Sequence, residues 1–241
     1  MKIAAFQERH LPGQFQNALS RVRNQLLECD ALEIEIALFP ECHLTGYFLG
    51  LEDVMRHAIS LESAEFQQVL DASSHIRTTA ILGFLEQRGS DFFNTAAVLR
   101  DGELLGCYRK IHTNERVLTP GVETPTFSTG DVRFGINICN DANYPETALR
   151  TARGGVQVLF YPLNNFLPRA VADEWQPKSS VNLVNRGVET GCWVVSSDVV
   201  GEADGWLSHG CTMIVSPRGE TINRAPEGET ATVMAELPFL Q

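Results

Sequence analysis

Three ionisable side chains in this chain each follow an extended apolar run. Cys139 stands at a hinge, in Gly135-Ile136-Asn137-Ile138-Cys139-Asn140-Asp141-Ala142-Asn143-Tyr144-Pro145-Glu146. Pro145 suits the first position of a helix, where its missing N–H costs nothing. Glu146 suits the positive end of the helix dipole. A thiol held where a strand turns into a helix lies at the strand's carboxyl edge. Backbone N–H groups and positive charge there are expected to stabilise its thiolate, and such turns are a recurrent way to present a nucleophile. Glu41 closes Ile34-Glu35-Ile36-Ala37-Leu38-Phe39-Pro40-Glu41, and Lys110 lies in Tyr108-Arg109-Lys110-Ile111-His112. Ligands of open α/β proteins gather outside the carboxyl ends of strands. A carboxylate, an ammonium and a thiol meeting there supply a base, a cation and a nucleophile. Taken singly, each has a plainer reading: a packed cysteine, a solvated turn, a surface lysine.

The elements that would position them alternate. Residues 2–6, 34–39, 132–138 and 156–161 read as strands. Residues 79–86 and 92–100 read as a strand pair, followed by Asp101-Gly102 as a tight turn into 103–109. Helical spacing runs through 15–28, 62–76 and 145–153, and through 171–190 with a break at Pro177. Residues 192–199, 210–216 and 230–237 read as further strands. This order suits sheets covered by helices, an α/β protein. The chain carries no linker, repeat or low-complexity tract, so residues 1–241 are expected to form one domain. Periodicity alone leaves open whether there is one sheet or two.

Several segments, in order, resemble the nitrilase superfamily, the carbon–nitrogen hydrolases. Lys2-Ile3-Ala4-Ala5-Phe6-Gln7 resembles its opening strand. Phe39-Pro40-Glu41 with Leu44-Thr45-Gly46-Tyr47 resembles the glutamate segment. Tyr108-Arg109-Lys110-Ile111-His112, closed by Thr119-Pro120-Gly121, resembles the lysine segment. Cys139-Asn140-Asp141 with Tyr144-Pro145-Glu146 resembles the nucleophile segment. Asn185-Arg186-Gly187-Val188-Glu189 and the run from His209 to Gly219 resemble the closing helix and strand.

The resemblance implies a four-layer α-β-β-α sandwich of two mixed sheets flanked by helices. It implies a Glu41–Lys110–Cys139 triad, with Glu115 as a second glutamate holding Lys110 and Glu41. In such a triad Cys139 attacks an amide carbonyl or a nitrile carbon, and Glu41 carries the proton. Lys110 and the Asn140 backbone N–H stabilise the oxyanion, where losing one donor typically costs about 10²–10³ in rate. Tyr47, Asn140, Asn143, Asn164, Asn165 and Phe166 are expected to line the substrate pocket. Cys139-Asn140-Asp141 is closest to the carbamoylase version of the motif. That version continues with arginines that hold a substrate carboxylate, and here Ala142 and Asn143 stand in their places. A bidentate carboxylate clamp needs guanidinium geometry, so a neutral or cationic small amide is the expected substrate.

Composition bounds the alternatives. The chain has 241 residues, 30 acidic against 19 basic, and a formal net charge of −11. That balance repels phosphate backbones and anionic membranes, so no nucleic-acid or membrane partner is expected. The start of the chain lacks a signal peptide's pattern. Six scattered cysteines without CxxC spacing argue against a zinc motif and suit a reduced, cytoplasmic setting. No metal and no cofactor is expected, because the proposed chemistry needs none. A homodimer or higher homo-oligomer is expected from the resemblance. Four rivals remain: an N-carbamoyl amide hydrolase, a true nitrilase with the same triad, an acyltransferase that passes the thioester to an amine, and a non-catalytic small-molecule-binding or interaction protein. A Cys–His hydrolase using His43, His112 or His209 ranks lower, because no orienting Asn or Asp is identifiable.

Overall fold

The computed structural model describes residues 1–239. In chain order the elements are β1 (Lys2–Arg9), α1 (Phe15–Ala31), β2 (Ile36–Leu38), α2 (Leu51–His57), α3 (Ala64–Ser73), β3 (Thr79–Arg88), β4 (Asp91–Arg100) and β5 (Glu103–Arg109). Then come β6 (Thr126–Thr129), β7 (Val132–Ile136), α4 (Pro145–Ala152), β8 (Val158–Pro162), β9 (Leu167–Pro168) and α5 (Arg169–Thr190). The last are β10 (Trp193–Ser197), β11 (Val199–Ala203), β12 (Trp206–Ser208), β13 (Met213–Val215), β14 (Thr221–Arg224) and β15 (Ala231–Glu236). One sheet runs β5-β4-β3-β2-β1-β11-β12-β9, with β15 also paired to β1; the other runs β14-β13-β10-β8-β7-β6. Both are mixed.

Period-two alternation builds the layers. Ile3, Ala5, Ile36 and Leu38 face Phe134, Ile136, Val158 and Phe160 of the other sheet. Ala4, Phe6, Ala37 and Phe39 face the opposite way, onto Ala18, Val22 and Leu26 of α1 and Phe66 and Val69 of α3. On the outer face of the second sheet, Leu159, Tyr161 and Val194 meet Ala148 of α4 and Leu183 of α5. The result is the four-layer α-β-β-α sandwich.

Several boundaries differ from the sequence reading. The helix over 171–190 does not break at Pro177; α5 runs unbroken from Arg169 to Thr190. Pro177 lies on the exposed face, so the carbonyl it leaves without a donor one turn back, at Asp173, is open to water. The short strands β6, β9, β12 and β14 and the helix α2 carry too little periodicity to be read from sequence. The strand expected over 192–199 stops at Ser197, and β11 starts after Asp198 in the other sheet. Between β7 and α4 lies a 3-10 turn, Cys139–Asn143, where the sequence suggested a direct strand-to-helix passage.

Candidate active site

Strand direction brings the three side chains together. β1, β2 and β3 are parallel, and β5 is parallel to β3 because each is antiparallel to β4. Glu41 lies just past β2 and Lys110 directly after β5, both at carboxyl ends of the first sheet. In the second sheet β7, β8 and β10 are parallel. Cys139 follows β7, Asn164 follows β8, and Asp198 follows β10. The site sits on the seam between the two sheets.

Glu41 and Lys110 form a fully buried ion pair, Nζ to Oε1 2.8 Å. Asn94 of β4 donates its Nδ2 to the same oxygen at 2.7 Å, and its backbone carbonyl accepts the Lys110 N–H at 2.8 Å. The second Glu41 oxygen, Oε2, is buried without a hydrogen-bond partner. The turn carrying Glu41 presses onto β3: a Cβ at Gly83 would lie 2.5 Å from the Pro40 carbonyl oxygen and 2.6 Å from the Cys42 nitrogen. Only glycine permits that approach.

Glu115 is buried, with Oε1 3.7 Å from Lys110 Nζ. Tyr47 donates its hydroxyl to Glu115 Oε1, and the Lys110 ammonium lies 5.8 Å from the Tyr47 ring centroid. Burial and the Glu41 charge push the Glu115 carboxyl up to about 7. Burial acts to lower the Lys110 ammonium, but the Glu41 carboxylate, through its charge and its hydrogen bond, outweighs it and holds it above lysine's ordinary value.

Cys139 adopts φ +44°, a left-handed conformation that costs a residue with a side chain about 1–3 kcal/mol. Asp141 holds this turn. It accepts the Ile138 N–H at 2.9 Å, the His112 N–H at 2.8 Å and the Tyr108 hydroxyl at 2.7 Å. Asn140 Nδ2 donates back to the His112 carbonyl at 2.9 Å. The nucleophile segment is thus stitched to the lysine segment. The thiol state differs from the sequence expectation of a stabilised thiolate. Burial, then the Glu41 charge, push the Cys139 thiol well above the usual range, against Lys110 and the Asn164 backbone N–H, which favour the thiolate. The thiol therefore rests protonated and needs a base.

Cys139 opens into a cavity of about 300 Å³. Tyr47, Asn140, Asn143, Asn164 and Asn165 all line it; Phe166 does not. Phe166 lines a larger neighbouring cavity of about 1070 Å³, stacked between His10 and Trp206. Tyr47 borders both cavities. Trp175 lines the inner cavity with Leu163, Ser179 and Asn182. Asn94, Asp198 and Asn182 were not anticipated. The detectable signal for the first two was a polar residue inside or directly after an apolar strand, Phe92-Phe93-Asn94 and Val194-Val195-Ser196-Ser197-Asp198. The histidines are engaged elsewhere: His43 packs by Phe39, His112 stacks on Tyr144 and bonds Thr147, and His209 bonds Asp173.

The carbon–nitrogen hydrolase family profile matches residues 2–240, and the chain belongs to that family, within the nitrilase superfamily. It is 29% identical over 224 residues to a nitrilase of Pyrococcus abyssi, covering 90% of this chain and 82% of the relative. It is likewise 29% identical over 238 residues to an (R)-stereoselective amidase of Pseudomonas sp., covering 97% and 84%. The fold matches that of Saccharomyces cerevisiae Nit3 with a TM-score of 0.84 at 21% identity, over 98% of this chain and 89% of that one. The protein is therefore a carbon–nitrogen hydrolase.

Proposed function

We propose that the protein hydrolyses a small neutral amide to an acid and ammonia or amine through a thioester on Cys139. The observation that carries this reading is the buried Glu41–Lys110 pair, which leaves one Glu41 oxygen without a hydrogen-bond partner and whose two charges both act on the Cys139 thiol. Glu41 takes the Cys139 proton as sulfur bonds to the carbonyl carbon. Lys110 and the Asn140 N–H hold the negative oxygen. When the C–N bond breaks, Glu41 returns the proton to the leaving nitrogen. Glu41 then deprotonates water, which attacks the thioester, and the sulfur leaves and regains a proton. Glu115 steadies Lys110 from the far side.

The substrate's charge class follows from the cavity lining. Six asparagines, Ser179 and Tyr47 supply its polar groups, and no Lys, Arg or His lines it among the described residues. Arg186, buried behind the lining residue Ala142, donates to the Ala142 carbonyl and to Glu189. An acyl chain ending in carboxylate would be buried without a partner. A carboxylate left uncompensated costs about 3–5 kcal/mol, so the neutral amide is preferred by at least about 10²-fold in kcat/KM. The test is ammonia release from pentanediamide and from its mono-acid, 5-amino-5-oxopentanoate, with Cys139→Ala as control. Equal or reversed preference rejects the charge class. Release that survives Cys139→Ala rejects the thioester.

The nitrilase similarity sustains a second reading, attack on C≡N by the same thiol. Acid and ammonia from nitriles, with the matching amides inert, would select it; preference for N-carbamoyl amino acids would select the carbamoylase. We also place the protein in the cytoplasm as a homodimer. No helix among the described residues is long and apolar enough to cross a membrane. Tyr144 and Leu149 by α4, with Val181 and Val188 on α5, leave exposed apolar area for a second copy. Sedimentation equilibrium is expected to give twice the 26.7 kDa chain mass; a monomer at micromolar concentration would reject the dimer.

A further inference from the structure

The segment after β8 touches both proposed reacting residues. The Leu163 carbonyl accepts the Glu41 N–H at 3.1 Å, and Asn164 Nδ2 donates to the Glu41 carbonyl at 3.4 Å. The Asn164 backbone N–H favours the Cys139 thiolate. One side chain from the next strand fixes this segment. Asp198 is fully buried at the carboxyl end of β10. Its Oδ1 accepts the Asn165 N–H at 3.0 Å and the Val199 N–H at 2.8 Å, and its Oδ2 accepts Asn165 Nδ2 at 2.7 Å. Its own N–H donates to Thr212 Oγ1 at 2.9 Å. The groups that steady its charge are N–H donors, not cations. A buried carboxylate without a cation is expensive, and the Glu41–Lys110–Cys139 chemistry gives it no task.

We propose that Asp198 is a positioning residue for the hydrolysis: its carboxylate clamps Asn165 and so holds Leu163 and Asn164 against Glu41 and Cys139. This rests on Cys139 and Glu41 being nucleophile and base, and adds a residue that acts through them. The clamp uses three acceptor sites, and the ionised carboxyl accepts all three more strongly than the protonated one. A protonated Oδ2 would point a hydrogen at the Asn165 amide donor. The titratable groups around Asp198 are the Glu41 carboxylate, the Cys139 and Cys211 thiols, and His209 with its partner Asp173. Burial lifts the Asp198 carboxyl to about 6, with the Asn165 and Val199 donors opposing. The clamp is therefore complete above pH 6 and lost as pH falls through it.

The test exchanges the two side chains and reads kcat, KM and pH profiles on an amide the protein turns over. Asn165→Asp sets two carboxyls face to face and is expected to lower kcat by about 10²-fold, the cost of a misplacement on the order of 1 Å, with a smaller change in KM. Adding Asp198→Asn restores a carboxylate opposite an amide and should recover at least about tenfold. Asp198→Asn alone keeps an acceptor for the two backbone N–H groups. Its log kcat/KM profile should lose the ionisation near 6, leaving the Glu115 step near 7. Wild-type kcat in Asn165→Asp, no recovery in the exchanged pair, or an unchanged acid limb in Asp198→Asn would overturn the clamp. If Asn165→Asp does not fold, the Asp198→Asn profile decides alone. Activity that survives Cys139→Ala would instead sink the nucleophile on which the clamp acts.

Discussion

Glu41→Gln is expected to cut turnover by about 10³-fold, inside the range that a positioned proton carrier contributes. The fold should persist. Both contacts on the existing carboxylate, from Lys110 and Asn94, go to Oε1, and an amide oxygen can accept both. The amide nitrogen would occupy the place of Oε2, which has no protein partner. The same change should make the thiol more acidic, because the Glu41 charge is one of the causes that raise it. Iodoacetamide alkylation of Cys139, followed against pH, should therefore shift to lower pH while hydrolysis collapses. If Glu41 acted on the thiol only through its charge and carried no proton, the alkylation profile would shift while turnover survived. Wild-type turnover with an unshifted alkylation profile removes it from the mechanism.

Lys110→Met should do damage of two kinds. Turnover should fall by about 10²–10³ or more through loss of an oxyanion donor. Stability should also fall, by about 3–5 kcal/mol, because Glu41 and Glu115 remain buried without their shared cation. The pH dependence has a definite sign. Glu115 ionises near 4.5 when unfolded and near 7 when folded. Between those values the folded chain binds more protons, so stability drops as pH rises. Removing the ammonium strengthens that penalty. Thermal unfolding should show a larger loss of Tm at pH 8 than at pH 5.5. An equal loss at both would mean that Glu115 does not sense Lys110.

The sequence made the site legible where local chemistry and position agreed. Pro145 and Glu146 marked the start of α4 correctly, and apolar runs ending at Glu41, Lys110 and Cys139 located three carboxyl edges. The strands β1, β2 and β8 were visible as apolar runs, but with both faces buried nothing in them told which residues face which layer. Tertiary relations were not. Asn94 reads as an irregularity in a strand until β4 is set between β3 and β5. Asp198 reads as a loop residue until β8 and β10 lie side by side. The thiol's resting state also escaped the local reading, since the Lys110 charge and the Asn164 N–H were foreseeable in kind, but the burial that outweighs them was not. Pro177 misled because a proline rule for helix interiors loses force on a water-facing turn.

The machinery is shared between two slabs of the molecule. Glu41, Asn94 and Lys110 ride on the first sheet, and Cys139, Asn164 and Asp198 on the second. Neither slab holds a working set. If Cys139 is the nucleophile, its base and its cation would reach it only once the two sheets have docked. On the proposed mechanism, hydrolytic competence would arrive only with the closure of the sandwich.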